Sequence, residues 1–324
     1  MKKHFVSDLV EGLKTDSLFA VKIKKPPTDY KGDKAGKWFE LRVADKTGEI
    51  TARFWGEKGT EVDKIYESFE KGDIVRISGK VREFMNKPEI SISPSEGGVL
   101  ERVEEYDLSD FVAKSKRDID EMEKEVLDFV LQVDNNDLKR LLKSFFEDDK
   151  FMKKFKFSPA AVERHQNFVG GLIEHTLNVV KISLKLAELY PQLDKNLIIA
   201  GALLHDIGKT TEFTIDTTID VSEEGMLLGH IMIGAKMIDD KITALNKIEK
   251  FERITRLKIL HMILSHHGKM MFGSPKMPQF PEALVVYYAD EMDAKTEYQL
   301  RLKEGANTED AHLWTKDFGQ IYLK

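Results

Sequence analysis

The sequence predicts a multidomain chain that changes architecture along its length: an N-terminal all-β barrel, a helical connector, and a C-terminal all-α domain. Three observations carry this. Over the first hundred residues, short runs rich in alternating or β-branched residues are separated by Gly, Asp and Pro. From Ser158-Pro159 onward, apolar residues recur at helical spacing, with breaks near Pro191, Gly208, Gly225, Gly273-Ser274-Pro275 and Pro278. Eight of the nine histidines lie beyond residue 160, so the chemistry-bearing side chains gather in the helical part.

The predicted strands follow in order. Phe19–Lys24 is the first, ended by Pro26-Pro27, and Lys37–Ala44 is the second. A tight turn at Asp45-Lys46-Thr47-Gly48 leads to the third, Glu49–Trp55. Val62, Ile65, Tyr66 and Phe69 fall at helical spacing, and strands at Ile74–Val81 and near Pro88–Ile92 complete the set. Five strands with one helix between the third and fourth is the order of an OB-fold barrel. The segment 94–106, starting Pro94-Ser95-Glu96-Gly97-Gly98, reads as the exit from it. Charged helical periodicity over 109–155, marked by Leu127, Val130, Leu138, Leu141 and Phe145, reads as a connector. The expected boundaries are therefore 1–105 for the barrel, 106–155 for the connector and 156–324 for the helical domain.

Bulk composition narrows the chemistry. With no cysteine there is no disulfide and no thiolate metal site, so any metal must be held by His, Asp and Glu. Cysteine usage is compatible with a cytoplasmic protein. No apolar run reaches about 18 residues, so no membrane helix is expected. The N-terminus lacks the apolar stretch of a secretory signal. The net charge of −6 argues against broad nonspecific nucleic-acid binding, but residues 1–100 carry +2 and the remainder −8.

Within the helical part, five histidines and two aspartates sit where a metal site would want them. His175 lies inside a predicted helix, and His205-Asp206 ends the apolar helix Leu197–Leu204. His230 follows Gly229 at a helix start, Ser265-His266-His267-Gly268 closes a helix, and Asp290 sits in an otherwise apolar helix. Metals that activate water in thiol-free sites take imidazole nitrogen and carboxylate oxygen. A carboxylate buried in an apolar helix is costly unless a cation neutralises it. His267 is read equally as a ligand and as a group touching substrate or a neighbouring ligand; His165 is read equally as a cleft and a core residue. Asp293 is read as a capping or solvated residue, Glu174 as structural, and His4, His261 and His312 as ordinary core or surface histidines. Lys209, three residues past the doublet and after a glycine that ends the helix, can hold a phosphate oxygen or stabilise transition-state charge.

His175, His205-Asp206 and Asp290 resemble the H…HD…D signature of the HD-domain phosphohydrolases, an all-helical fold. The resemblance implies one metal on His175, His205, Asp206 and Asp290. It implies a second sharing Asp206 and taking His230 and His266.

In the barrel, Trp38, Phe39, Phe54, Trp55 and Phe84 are candidate stacking residues for bases, with Arg53 and Arg82 among the nearby cations. Alternation sends one member of each adjacent pair inward, so core packing competes with base stacking for each ring. The order of barrel, connector and helical domain, with Gly170-Gly171-Leu172-Ile173-Glu174-His175, the His205–Lys209 stretch and Ser265–Gly268, resembles the YhaM-type 3′→5′ exoribonucleases along essentially the whole chain. That resemblance implies hydrolysis of single-stranded RNA, and often single-stranded DNA, with two divalent ions. Manganese is the expected ion, and the N/O ligand set also suits cobalt, iron, nickel and zinc. An HD-type phosphodiesterase or phosphatase acting on nucleotides or cyclic dinucleotides, with a regulatory barrel, is the alternative. A third reading is a nucleic-acid-binding protein without turnover.

Overall fold

A computed structural model of the chain describes residues 2–31, 35–85, 87–162, 166–306, 308 and 310–324. It divides into two compact units, Met1–Ala113 with Ile215–Ile219, and Lys114–Thr214 with Asp220–Lys324.

The first unit is built from β1 (Lys14–Lys24), β2 (Thr28–Asp29), β3 (Lys37–Asp45), β4 (Gly48–Trp55), α1 (Val62–Glu67), β5 (Ile74–Phe84), β6 (Lys87–Ile92) and β7 (Val99–Val103). The sheet runs β1-β3-β4-β6-β5 and closes through a β1–β5 pairing, so the five long strands form a barrel. β4 and β6 pair in parallel and the other contacts are antiparallel. Closure removes exposed edges. Strand alternation decides the aromatics: Phe39 and Phe54 are buried and stack at 5.1 Å inside the barrel. Their neighbours Trp38 and Trp55 stay half-buried on the other face and stack at 5.5 Å. The barrel has more than the predicted strands. Val99–Val103, expected as an exit segment, pairs with β5 from Ile74↔Val103 to Ser78↔Val99. Its Leu100 supplies the buried apolar residue that a short covering strand needs, while the Gly97-Gly98 before it and the acidic Glu104-Glu105 after it make the segment read as an exit.

The second unit contains α2 (Ile119–Gln132), α3 (Asn136–Phe146), α4 (Asp149–Phe157), α5 (Gly171–Leu189), α6 (Lys195–Leu204), α7 (Lys209–Glu212), α8 (Glu223–Leu245), α9 (Arg253–Ser265) and α10 (Pro281–Gly305). Two small hairpins, β8 (Phe213–Ile215) with β9 (Ile219–Val221) and β10 (His312–Thr315) with β11 (Gly319–Tyr322), interrupt a region read as helical throughout. Both are short β-branched or aromatic runs around a turn, too brief to register against helical periodicity.

Helices α2–α4, read as a connector, share one apolar core with the others: Val126, Leu141 and Phe145 pack in the same cluster as Leu172, Ile199 and Ile263. At the centre is α6, apolar around its whole circumference and buried from Leu197 to Leu204, as a helix surrounded by other helices must be. Asp194 caps it by accepting from the amides of Asn196 and Leu197. Among the described residues no helix is long and apolar enough to cross a membrane.

Candidate metal centre

The C-terminal end of α6 delivers His205 and Asp206 into the middle of the helical unit, where five other candidate residues converge on them. Asp206 is the hub. Its Oδ2 lies 2.6 Å from Lys209 Nζ, 3.2 Å from His205 Nε2 and 3.5 Å from His175 Nε2. Its Oδ1 lies 3.5 Å from both His230 Nε2 and His266 Nε2. Asp290 Oδ1, from α10, is 3.1 Å from His175 Nε2 and 4.0 Å from His205 Nε2. Two groups have the spacing to hold a cation: His175, His205 and Asp290, and beside them Asp206, His230, His266 and His267.

The backs of the rings are as ordered as their fronts. His205 Nδ1 donates to the Ala202 carbonyl and His266 Nδ1 to the Ile263 carbonyl, each at 2.7 Å. His267 Nδ1 donates to the Phe272 carbonyl at 2.8 Å, and its backbone N–H to the Ser274 hydroxyl at 3.0 Å. His175 Nδ1 meets Asp293 Oδ2 at 2.7 Å, and His230 Nδ1 meets Glu212 Oε2 at 3.0 Å. A carbonyl oxygen only accepts, so the proton of the first three rings is on Nδ1. Outward partners of this kind set the ring orientation of metal-binding histidines.

Electrostatics sharpen the arrangement. Burial pushes His266 down to about 3, so its ring is neutral and Nε2 carries a bare lone pair. That lone pair faces Asp206 Oδ1, and neither atom has a hydrogen-bond partner; His230 Nε2 lacks one as well. Acceptors facing each other in a buried site repel unless a cation sits among them. Burial also lowers His267. Burial alone would raise Asp206, but the charges of Lys209 and His205 and the hydrogen bond from His175 hold it well below the usual carboxylate range. Burial opposes the charge on His175, and the carboxylates of Asp206, Asp290 and Asp293 outweigh it and raise the ring well above the imidazole range. An N/O donor set with orphaned buried acceptors fits divalent metal ions.

Two local readings need correction. Asp293 is not a solvated cap. Three residues after Asp290 it shares that helix face, is buried, binds His175, and accepts from Gln166 Nε2 and Asn178 Nδ2, each at 3.0 Å. Gly208 does not end a helix in the left-handed conformation: its φ of −61° and ψ of −24° are helical. A Cβ there would lie 2.0 Å from the His230 carbonyl oxygen and 2.7 Å from the Gly234 amide nitrogen, so glycine serves close approach to α8. Within α8, Gly229 adopts φ 70° and ψ 154°, breaking the helix so that His230 starts a new segment with its N–H on Glu212 Oε1 at 3.1 Å. Sequence reasoning missed Glu212, which lies 18 residues before the histidine it holds, together with Gln166 and Asn178. Glu174 accepts from the Ser115 hydroxyl at 2.5 Å, away from the cluster. His165 lies outside the described residues.

On the barrel, Trp38 and Trp55 face outward, with Tyr30 stacked on Trp55 at 6.3 Å. Phe39 and Phe54 belong to the core. Phe84 is exposed, with the Arg53 guanidinium 4.5 Å above its ring. Arg53 also pairs with Glu40 and Glu89, and Arg82 with Glu96, so much of the positive charge counted in the sequence is locally matched.

Residues 172–295 match the HD domain family, and residues 22–97 match the OB-fold nucleic acid binding domain family. Solved structures similar to part of the chain include the replication factor A related protein from Methanobacterium thermoautotrophicum, 28% identical over 32% of this chain and 92% of that one, with a TM-score of 0.27. The second OB-fold domain of replication protein A from Methanococcus maripaludis is 24% identical over 33% and 98%, TM-score 0.25. The p204 HINb domain is 11% identical over 31% of this chain, TM-score 0.24, and only 47% of that chain is spanned. By the two family matches, the chain contains an N-terminal OB-fold domain and a C-terminal HD domain.

Proposed function

We propose that the chain is a metal-dependent 3′→5′ exonuclease that hydrolyses single-stranded RNA, and single-stranded DNA as a second substrate, to nucleoside monophosphates. The observation that carries this reading is the convergence of four imidazoles, one ammonium and Asp290 around the Asp206 carboxylate, in a chain that also presents the outward Trp38–Trp55 pair on an OB fold. His175, His205, Asp206 and Asp290 would hold one ion, and Asp206, His230 and His266 a second, with His267 within reach of the latter group. Bound divalent ions, manganese above all, supply activated water and neutralise phosphate charge.

The chain's own residues do the rest. Asp293 and Glu212 fix the rings of His175 and His230 through Nδ1, which leaves each Nε2 aimed at the centre. Lys209, buried against Asp206, places a positive charge where charge develops on the phosphate oxygens. The outward tryptophans give bases a flat apolar face, and stacking of that kind is worth about 1–3 kcal/mol per base.

A 5′-labelled single-stranded 20-mer incubated with manganese tests the reading. The expected result is a ladder shortening from the 3′ end. Hydrolysis confined to nucleotides or cyclic dinucleotides would transfer the chemistry to a small-substrate phosphodiesterase, and retention without cleavage would remove the enzyme reading altogether.

A further inference from the structure

The candidate centre is sealed on one side and open on another. His175, His205 and His266 are fully enclosed, whereas His230, His267 and Asp290 keep partly accessible side chains. The open edge is therefore where α8 and the turn after α9 approach each other: the His230 and His267 rings are 5.1 Å apart, and a Cβ on Gly273 would touch Ile231 at 3.8 Å. Each of these segments carries a tripeptide of exposed apolar side chains. Met226-Leu227-Leu228 immediately precedes the Gly229 break, with Leu227 76% exposed. Met270-Met271-Phe272 follows Gly268, with Met271 79% exposed.

These side chains are exposed although their backbones are held. The hydrogen bonds from His267 to the Phe272 carbonyl and to the buried Ser274 hydroxyl pin the second tripeptide to a candidate ligand. Glu212 binds both the N–H and the ring of His230 and anchors the end of the first. Solvent-exposed apolar residues on fixed backbone mark a binding surface. The occupant's chemistry follows from the neighbours. Lys269 lies 5.9 Å from the Phe272 ring, so a cation stands beside an aromatic face, a pairing that suits a phosphate next to a base. The thioethers of Met226, Met270 and Met271 adapt to flat aromatic faces of differing size.

We propose that Met226–Leu228 and Met270–Phe272 form a base-binding rim that grips the terminal nucleobases of the strand whose phosphodiester enters the centre. The inference rests on the exonuclease reading and adds to it the contact that positions the 3′ end. The test compares two strands of equal length, one ordinary and one with its last two nucleotides abasic, on the wild-type chain and on the Leu227→Ser, Met271→Ser, Phe272→Ala variant. These three side chains make no core contact, and Phe272→Ala keeps the carbonyl that holds His267. Wild type should use the ordinary strand with a KM about a hundredfold lower than the abasic one, since stacking on each of the two bases contributes about tenfold. The variant should lose that difference, with kcat/KM on the abasic strand unchanged. Equal losses on both strands, or no loss on either, would overturn the rim. So would a change of oligomeric state on size-exclusion chromatography with light scattering, which would make the surface an interface between copies. If the wild type shortens neither strand, the exonuclease reading itself has failed and the rim falls with it.

Discussion

Asp206→Ala should abolish hydrolysis while leaving single-strand binding by the barrel largely intact. No other side chain in the cluster touches as many partners: four imidazole Nε2 atoms and the Lys209 ammonium lie within 3.5 Å of its two oxygens. Removing one preorganised electrostatic group costs about 10²–10³ in rate. Losing the carboxylate shared by both proposed ions should exceed that, with a fall of at least about 10³-fold. The same change leaves Lys209 buried without its partner, a cost on the order of 3–5 kcal/mol in such pairs. Asp206→Asn, which keeps the shape, is therefore measured beside it, with circular dichroism to confirm folding and a fluorescent 20-mer in chelator to report binding. Turnover near the wild-type rate in a folded Asp206 variant would show the mechanism to be wrong.

Gly208→Ala should be among the most damaging single-methyl changes in the helical unit. The added Cβ meets backbone at 2.0 Å and 2.7 Å, and backbone cannot rotate out of the way as a side chain can. Overpacking of this sort costs about 1–3 kcal/mol, which for a domain of this size lowers Tm by about 2–4 °C per kcal/mol. The displaced atoms belong to His230 and its segment, so activity should fall further than stability. A misplacement near 1 Å can cost about 10²-fold in rate. Gly305→Ala is the control: nothing lies within 4 Å of its Cβ position, and the residue ends α10. It should be neutral or stabilising by less than about 1 kcal/mol. Thermal melts of the two variants beside wild type check this, and a Gly208→Ala chain as stable and active as wild type would refute the close-packing account.

Much of this was legible in the residues themselves. The barrel's alternation at Trp38-Phe39 and Phe54-Trp55 is a property of strand geometry, and it sorts the rings into core and surface. The histidines and aspartates of the centre are marked by type, by helical context and by the cost of burying Asp290 in an apolar helix. The supporting residues are not. Asp293 and Glu212 are ordinary acidic residues until the fold turns them toward Nδ1 of His175 and His230. Gly208 looks like a helix terminator, and only the approach of α8 reveals its purpose. The ion pairs that occupy Arg53 depend on cross-strand register, and that of Arg82 on the turn after β6 that returns Glu96 to it, neither of which composition reports. Likewise β7 is five residues long between Gly97-Gly98 and Glu104-Glu105, and its pairing with β5 across more than twenty residues is not visible in the run itself.

The central claim is that the Asp206 cluster is a two-ion centre. Titrating metal-free protein with manganese, and counting bound ions by electron paramagnetic resonance and elemental analysis, addresses it directly. Two ions per wild-type chain are expected, with His266→Ala retaining one and Asp206→Asn weakened at both. A wild-type chain that binds no manganese, or that binds it undiminished in Asp206→Asn, would contradict the account.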